Sequence, residues 1–257
     1  MTYNELHNIT DKVVRKDSEA KELKRKYFEA KESFKRGNYM ELYPMSVFAK
    51  KLAFSYLGKN QIKPAIKILE DIRQAIDDSK GNGMMNVWSG AFISIYPMLA
   101  FCNMEFSKWK KAEIILSQYV EHLGNLLTLP LWQNGNSSCD KEEETCGLFS
   151  REKVVEDLYQ IFEKLCIHDR LVGNDNRAIS NMLSIKGIIT EYGSQYTQIK
   201  LSAFLTKCYD ATGDDENFIE SYKSFAKTYK RAQMMGASIN DGLKSVCDDI
   251  FNIAYFN

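Results

Sequence analysis

Proline and glycine are scarce, four and fourteen in 257 residues. These are the residues that most often interrupt regular structure, so long uninterrupted elements are expected. The period-two alternation of a half-buried strand is nearly missing, whereas apolar residues recur at three and four almost throughout. An all-α chain follows. Histidine is limited to His7, His122 and His168, none of them in an HExxH arrangement or near a second histidine, so a histidine-based zinc site is not expected. No P-loop, GxGxxG or GxSxG occurs, and with them go the usual signatures of nucleotide binding and of a hydrolase nucleophile. No run approaches about 18 apolar residues, so no membrane span is expected. The first twenty residues lack an apolar core and a small-residue cleavage site, so they do not read as a secretory signal. A cytoplasmic chain is the expectation. Net charge is also missing: 34 basic residues balance 34 acidic ones. That argues against a dedicated nucleic-acid binder, whose affinity comes mainly from neutralising phosphates.

What is present is ordinary globular composition, 44% hydrophobic and 26% charged. The charge is unevenly spread. Residues 1–75 hold 16 basic and 10 acidic side chains; since the whole chain sums to zero, the remainder carries −6. In a cytoplasmic setting the six cysteines are expected as thiols. Cys102, Cys166, Cys208 and Cys247 fall at apolar-periodic positions and read as small core residues. Cys139 and Cys146 flank Asp140, Glu142, Glu143 and Glu144, but without CxxC spacing, a histidine, or spaced oxygen ligands around a glycine turn, so a solvated acidic loop is expected and not a metal site. Cys166 and His168 stand two apart on a helix, about 200° around its axis, so they cannot act as a catalytic pair.

The periodicity predicts a helix over 11–36, capped by Thr10 and stopped by Gly37. Its stripe of Val13, Ala20, Leu23, Tyr27, Ala30 and Phe34 fits either a coiled-coil seam or packing on the next helix. After a turn at 38–40, helices are predicted over 41–57 and 62–78, joined by Gly58-Lys59-Asn60, with Pro64 in the first turn of the second, where its missing N–H costs nothing. A loop at 79–83 leads to a very apolar helix over 84–106 that Pro97 should kink or split, and then to its partner over 109–123. Residues 124–150 read as a long acidic loop, aperiodic between about 130 and 146. Ser150 is expected to cap a helix over 151–169. Further helices are predicted over 177–190, 195–211, 216–235 and 242–255. The whole is expected as a single all-helical domain spanning 1–257, with the N-terminal helix in 1–40, first pairs in 41–123 and further pairs with a capping helix in 151–257.

The helix pairs repeat a grid. Leu52-Ala53, Tyr56, Ile62, Ala65, Leu69 and Ile72 form one copy. Leu99-Ala100, Asn103, Trp109, Ala112, Leu116 and Tyr119 form a second at identical spacings. Leu165-Cys166, Asp169, Gly173, Ala178, Met182 and Ile185 form a third, and Leu205-Thr206, Tyr209, Gly213, Phe218, Tyr222 and Phe225 a fourth. Small residues at a crossing let two antiparallel helices approach closely, with large ones filling the layers on either side. Over about residues 45–230 this resembles the tetratricopeptide repeat. The repeat spacings of 47, 66 and 40 depart from that family's regular period of about 34, and its Trp and Pro signature positions are mostly missing.

The resemblance implies a TPR-like α-solenoid whose first helices line a concave groove. It implies a non-enzymatic scaffold or adaptor that binds a protein or peptide there, without a cofactor. By matching positions, the concave candidates are Lys50, Phe54 and Leu57 from the first pair and Phe101 and Met104 from the second. The third pair supplies Gln160, Glu163 and Arg170, the fourth Lys200 and Lys207. Phe54, Phe101 and Met104 fit burial beneath a terminal helix equally well. A second reading uses the basic N-terminal helix on nucleic acid, as in peptide-responsive tetratricopeptide regulators, although 1–40 contains no recognisable helix-turn-helix.

Overall fold

The computed structural model describes residues 17–79, 85–129, 150–235 and 241–256. Among the described residues the regular structure is ten α-helices and one short 3-10 turn, with no strand. They are α1 (Asp17–Lys35), the 3-10 turn Tyr39–Glu41, α2 (Leu42–Gly58), α3 (Ile62–Asp78), α4 (Met85–Glu105), α5 (Trp109–Leu127), α6 (Arg151–Leu171), α7 (Asp175–Tyr192), α8 (Gln195–Thr212), α9 (Asp215–Met234) and α10 (Asp241–Phe256). Helices α1–α5 belong to one compact unit and α6–α10 to another. Within each, consecutive antiparallel helices pair and the pairs stack in the manner of an α-solenoid. The stretch 130–149 of the predicted acidic loop, the cap at Thr10 and residues 80–83 of the loop predicted at 79–83 lie outside the described residues.

The repeated grid is the packing grid. Ala53, Ala65, Ala100, Ala112, Cys166, Ala178 and Thr206 are all fully buried at their crossings, and Leu69, Ile72, Leu116, Met182, Ile185 and Phe225 are buried in the adjoining layers. Cys166 Sγ donates to the Ala178 carbonyl at 3.4 Å, so small residues twelve apart meet directly across a hairpin. Phe218 stands where the other pairs have alanine, and it is only half-buried. The crossing of α8 with α9 therefore relies on Phe225, further along.

The turns repeat as closely as the crossings. After α2, Gln61 N donates to Tyr56 O and Asn60 N to Leu57 O, both at 2.8 Å. The same double bond closes α4 (Lys108 to Asn103, Ser107 to Met104), α6 (Asn174 to Asp169, Gly173 to Arg170) and α8 (Asp214 to Tyr209, Gly213 to Asp210). It also closes α1, through Asn38 to Ser33 and Gly37 to Phe34. This is the Schellman cap, which satisfies the last carbonyls of a helix and needs one left-handed residue. The residues that supply it are Gly37, Asn60, Ser107, Gly173 and Gly213, with φ of 93°, 56°, 58°, 78° and 67°. Helix starts are capped by side chains where the sequence offers them. Ser150 accepts from Lys153 N, Ser194 from Thr197 N and Asp214 from Asn217 N.

Most helix ends fall within one or two residues of the sequence reading, and two larger differences stand out. Helix α5 does not stop at Leu123 but runs through Gly124 to Leu127, because Leu126 and Leu127 are buried and hold the extra turn in place. Pro97 does not split α4, which is continuous with 15 of its 21 residues buried. Packing against α2, α3 and α5 outweighs the roughly 3 kcal/mol that an interior proline costs, since each large apolar side chain buried contributes about 1.5–3 kcal/mol. By length and apolarity alone α4 is able to cross a membrane, yet 72% of that stretch is buried inside the fold. An all-round apolar helix is what a core position requires.

Helix α1 packs along α2 with Tyr27 and Ala30 buried, so its apolar stripe meets the next helix. Lys31 reaches Asp71 on α3 at 2.6 Å.

Candidate functional site

The ten candidate residues separate between the two units. Lys50, Phe54, Leu57, Phe101 and Met104 lie in the α1–α5 unit. Phe54, Phe101 and Met104 are buried there, while Lys50 and Leu57 are half-exposed. The three large apolar side chains thus fill the interior of that unit.

The other five lie in the α6–α10 unit on its first helices, Gln160, Glu163 and Arg170 on α6 and Lys200 and Lys207 on α8. Lys200 on α8 sets its ammonium 4.7 Å from the centre of the Tyr196 ring and 5.9 Å from that of Tyr159 on α6. Tyr159 is buried and donates to Glu163 Oε1 at 2.9 Å. Burial first, and the neighbouring Glu163 carboxylate second, push the Tyr159 phenol well above its ordinary value, so it stays a neutral donor. Arg170, near the end of α6, stacks 5.9 Å from the Phe204 ring of α8 and bonds Asp175 at 2.9 Å. Lys207 pairs with Asp249 of α10 at 3.0 Å. Gln160 sits half-exposed one turn before Glu163 on α6.

Lys200 differs from its neighbours in having no carboxylate partner among the described residues. Cation–π contacts from two tyrosines fix its ammonium without neutralising it, and such contacts hold about 0.5–1 kcal/mol each at an exposed site. The result is a positive charge positioned over aromatic faces, with no carboxylate against it among the described residues. The signal in sequence was the seven-residue step from Lys200 to Lys207; Tyr196, one turn before Lys200 on α8, was readable in the same way, whereas Tyr159 meets Lys200 and Phe204 meets Arg170 only when α6 and α8 stack.

A second concavity lies on the opposite, second-helix side of the same unit. It has a volume of about 400 Å³ and opens between α7 and α9 over a floor made by α8. None of the ten candidates lines it.

Several cations of the basic N-terminal helix are paired with carboxylates. Arg25 bonds Glu22 and Glu29, Lys26 lies near Glu22, Lys35 pairs with Glu32 and Lys31 with Asp71. The described thiols Cys102, Cys166, Cys208 and Cys247 are buried and reduced. Cys166 and Asp169 both bond across to α7, the latter with Asn181 at 3.0 Å and Arg177 at 3.6 Å. They serve the hairpin. Among the described residues no group of three or more His, Cys, Asp and Glu side chains is placed to hold a metal.

No protein-family model matches the chain, and no curated protein matches its sequence. Among solved structures, it is similar to a Podospora anserina protein named as a kinesin light chain with nearly identical TPR-like repeats. That similarity covers 83% of this chain and 98% of the other at 13% identity, with a TM-score of 0.44.

Proposed function

We propose that this chain is a non-enzymatic scaffold or adaptor that binds a protein or peptide on the first-helix face of its α6–α10 unit, in the cytoplasm. The observation that carries the reading is Lys200, an ammonium set over Tyr196 and Tyr159 with no carboxylate partner among the described residues. Arg170 and Lys207 flank it on the same face, each held by one aspartate. An acidic side chain or the C-terminal carboxylate of a partner meets Lys200 first and then competes for the other two. Aromatic rings and arginine are the residues most enriched in protein interfaces, and here both are held rigidly by helix stacking. Lys50 and Leu57, in the other unit, remain candidates for a further contact on its first helices.

The test begins with affinity capture from the native cell and identification of the bound protein by mass spectrometry. Arg170→Glu, Lys200→Glu and Lys207→Glu are then combined, because exposed ion pairs contribute only about 0.2–1 kcal/mol one at a time. The triple variant is expected to bind the captured partner about 5- to 100-fold more weakly with an unchanged helical spectrum. Full affinity in the folded triple variant would remove this face from the function.

A further inference from the structure

The repeat register allows the two units to be compared position by position, and one difference stands out. In the α1–α5 unit the second helices α3 and α5 are tied to each other by polar cross-links. Lys111 reaches Glu70 at 2.7 Å, and Arg73 donates to Gln118 at 3.3 Å. Counted from the crossing residues Ala65 and Ala112, these positions are five and eight residues on for Glu70 and Arg73, one back for Lys111 and six on for Gln118. Counted in the same way from Ala178 and Phe218, the corresponding residues of α7 and α9 are Leu183, Lys186, Asn217 and Ser224. None of them can rebuild the cross-links: the acid has become leucine, the lysine asparagine, and the glutamine a short serine.

All four line the open groove between α7 and α9. Leu183 is 41% exposed there. The floor is a stripe of α8 through Leu201, Leu205 and Tyr209, spaced by four. Lys186 stands on one wall, Lys227 and Arg231 one turn apart on the other. All three cations are exposed, and none forms an ion pair among the described residues. Among the described residues of the lining, Glu220 is the one acid. This cationic groove sits in the part of the sequence that is acidic overall, so its charge does not simply follow the background.

We infer that the α7–α9 groove is a second docking site, which takes an acidic peptide segment of a protein partner. Two apolar side chains of such a segment rest on Leu183 and the α8 stripe, and its carboxylates meet Lys186 on one side and Lys227 and Arg231 on the other. The apolar floor and the presence of Glu220 favour a peptide over a nucleic-acid backbone, which needs cations without an acidic neighbour. This site is separate from the first-helix face and stands or falls independently of it.

The test is selection of a random displayed-peptide library on the full chain, followed by fluorescence polarisation with fluorescein-labelled copies of the selected peptides. The expected peptides are rich in Glu and Asp around paired apolar residues. They should bind at least ~10-fold more weakly to the combined Lys186→Glu, Lys227→Glu, Arg231→Glu variant, in line with three ion pairs lost and reversed. They should bind equally well to the Arg170→Glu, Lys200→Glu, Lys207→Glu variant. A second design closes the groove by transplanting the cross-links, Leu183→Glu with Asn217→Lys and Ser224→Gln, and should abolish binding while leaving the melting temperature at or above that of the parent. Selected peptides that are not acidic, or that bind all variants alike, would overturn the inference, as would a selection that yields no binder. Loss confined to the Arg170, Lys200 and Lys207 variant would overturn it too while leaving the first-helix reading intact. Tight binding of a labelled single-stranded oligonucleotide in the groove, with no peptide binding, would reject the peptide in favour of nucleic acid.

Discussion

Five helices end in the same left-handed cap, but only three use glycine for it. Ser107 occupies the position after α4 at φ 58°, and its counterparts after α6 and α8 are Gly173 and Gly213. An L-residue in this region brings its Cβ against its own backbone, at a cost of roughly 1–2 kcal/mol; asparagine and glycine escape most or all of it. A Cβ built on Gly173 or Gly213 meets nothing within 4 Å, so substitution there carries no packing term, and the backbone penalty stands alone. Gly213→Ala should therefore destabilise by about 1–2 kcal/mol. Ser107→Gly should stabilise by about 0.5–1 kcal/mol, the relief being reduced by the greater freedom glycine gives the unfolded chain. Asn60→Gly should change little. For units of this size 1 kcal/mol moves the melting temperature by about 3–5 °C. Thermal melts followed at 222 nm should order the variants with Ser107→Gly above the parent, Asn60→Gly near it and Gly213→Ala below. A neutral Gly213→Ala, or a Ser107→Gly that melts lower than the parent, would refute the reading of these turns as one repeated cap.

Other outcomes follow from the packing. Gly187 lies inside α7 with nothing within 4 Å of an added Cβ, so Gly187→Ala should stabilise by about 0.5–1 kcal/mol, seen as a higher denaturant midpoint. Ala65→Trp and Ala112→Trp each force a large ring into a closed crossing, and should lower stability by about 1–3 kcal/mol or more; unchanged melting in both would mean the helix pairs are registered wrongly. Burial holds the Cys102 thiol up at about 12 and the Cys208 thiol up at about 11, above the ordinary 9.0. The folded chain then keeps protons that the unfolded chain releases, so stability should fall as pH rises from about 9 toward 12. Iodoacetamide labelling with peptide mapping should leave Cys102 and Cys208 unmodified at pH 8 until the chain unfolds.

Much of the fold was legible because it is written locally. Ala53 and Ala65, twelve apart, marked a hairpin crossing before any coordinates, and Gly213 or Ser150 marked a stop and a start through the chemistry of caps. The α3 boundaries, 62–78, came directly from periodicity. The misses have physical causes. Gly124 looked like a stop, but glycine permits a helix to end without requiring it, and buried Leu126 and Leu127 keep the chain helical there. Pro97 looked like a break, yet the surrounding core holds α4 continuous. Of the candidate site, the charges of Lys200 and Lys207 were visible as a helical step, whereas Tyr159, one of the two tyrosines that hold Lys200, belongs to a different helix far earlier in the chain. The α7–α9 groove was not legible at all. It arises from what Leu183, Asn217 and Ser224 fail to do, and that shows only when Glu70 and Arg73 are seen tying α3 to α5.

The central claim, that a partner engages the first helices of the α6–α10 unit, is tested most directly by site-specific photo-crosslinking with the captured partner. Benzoylphenylalanine replaces Gln160, Lys200 and Lys207 in turn on that face, and Lys67 and Lys110 on the second helices α3 and α5 as comparison. Cross-links to the partner from positions 160, 200 and 207, and none from 67 and 110, are the predicted result. Cross-links from positions 67 and 110, with none from 160, 200 and 207, would contradict it.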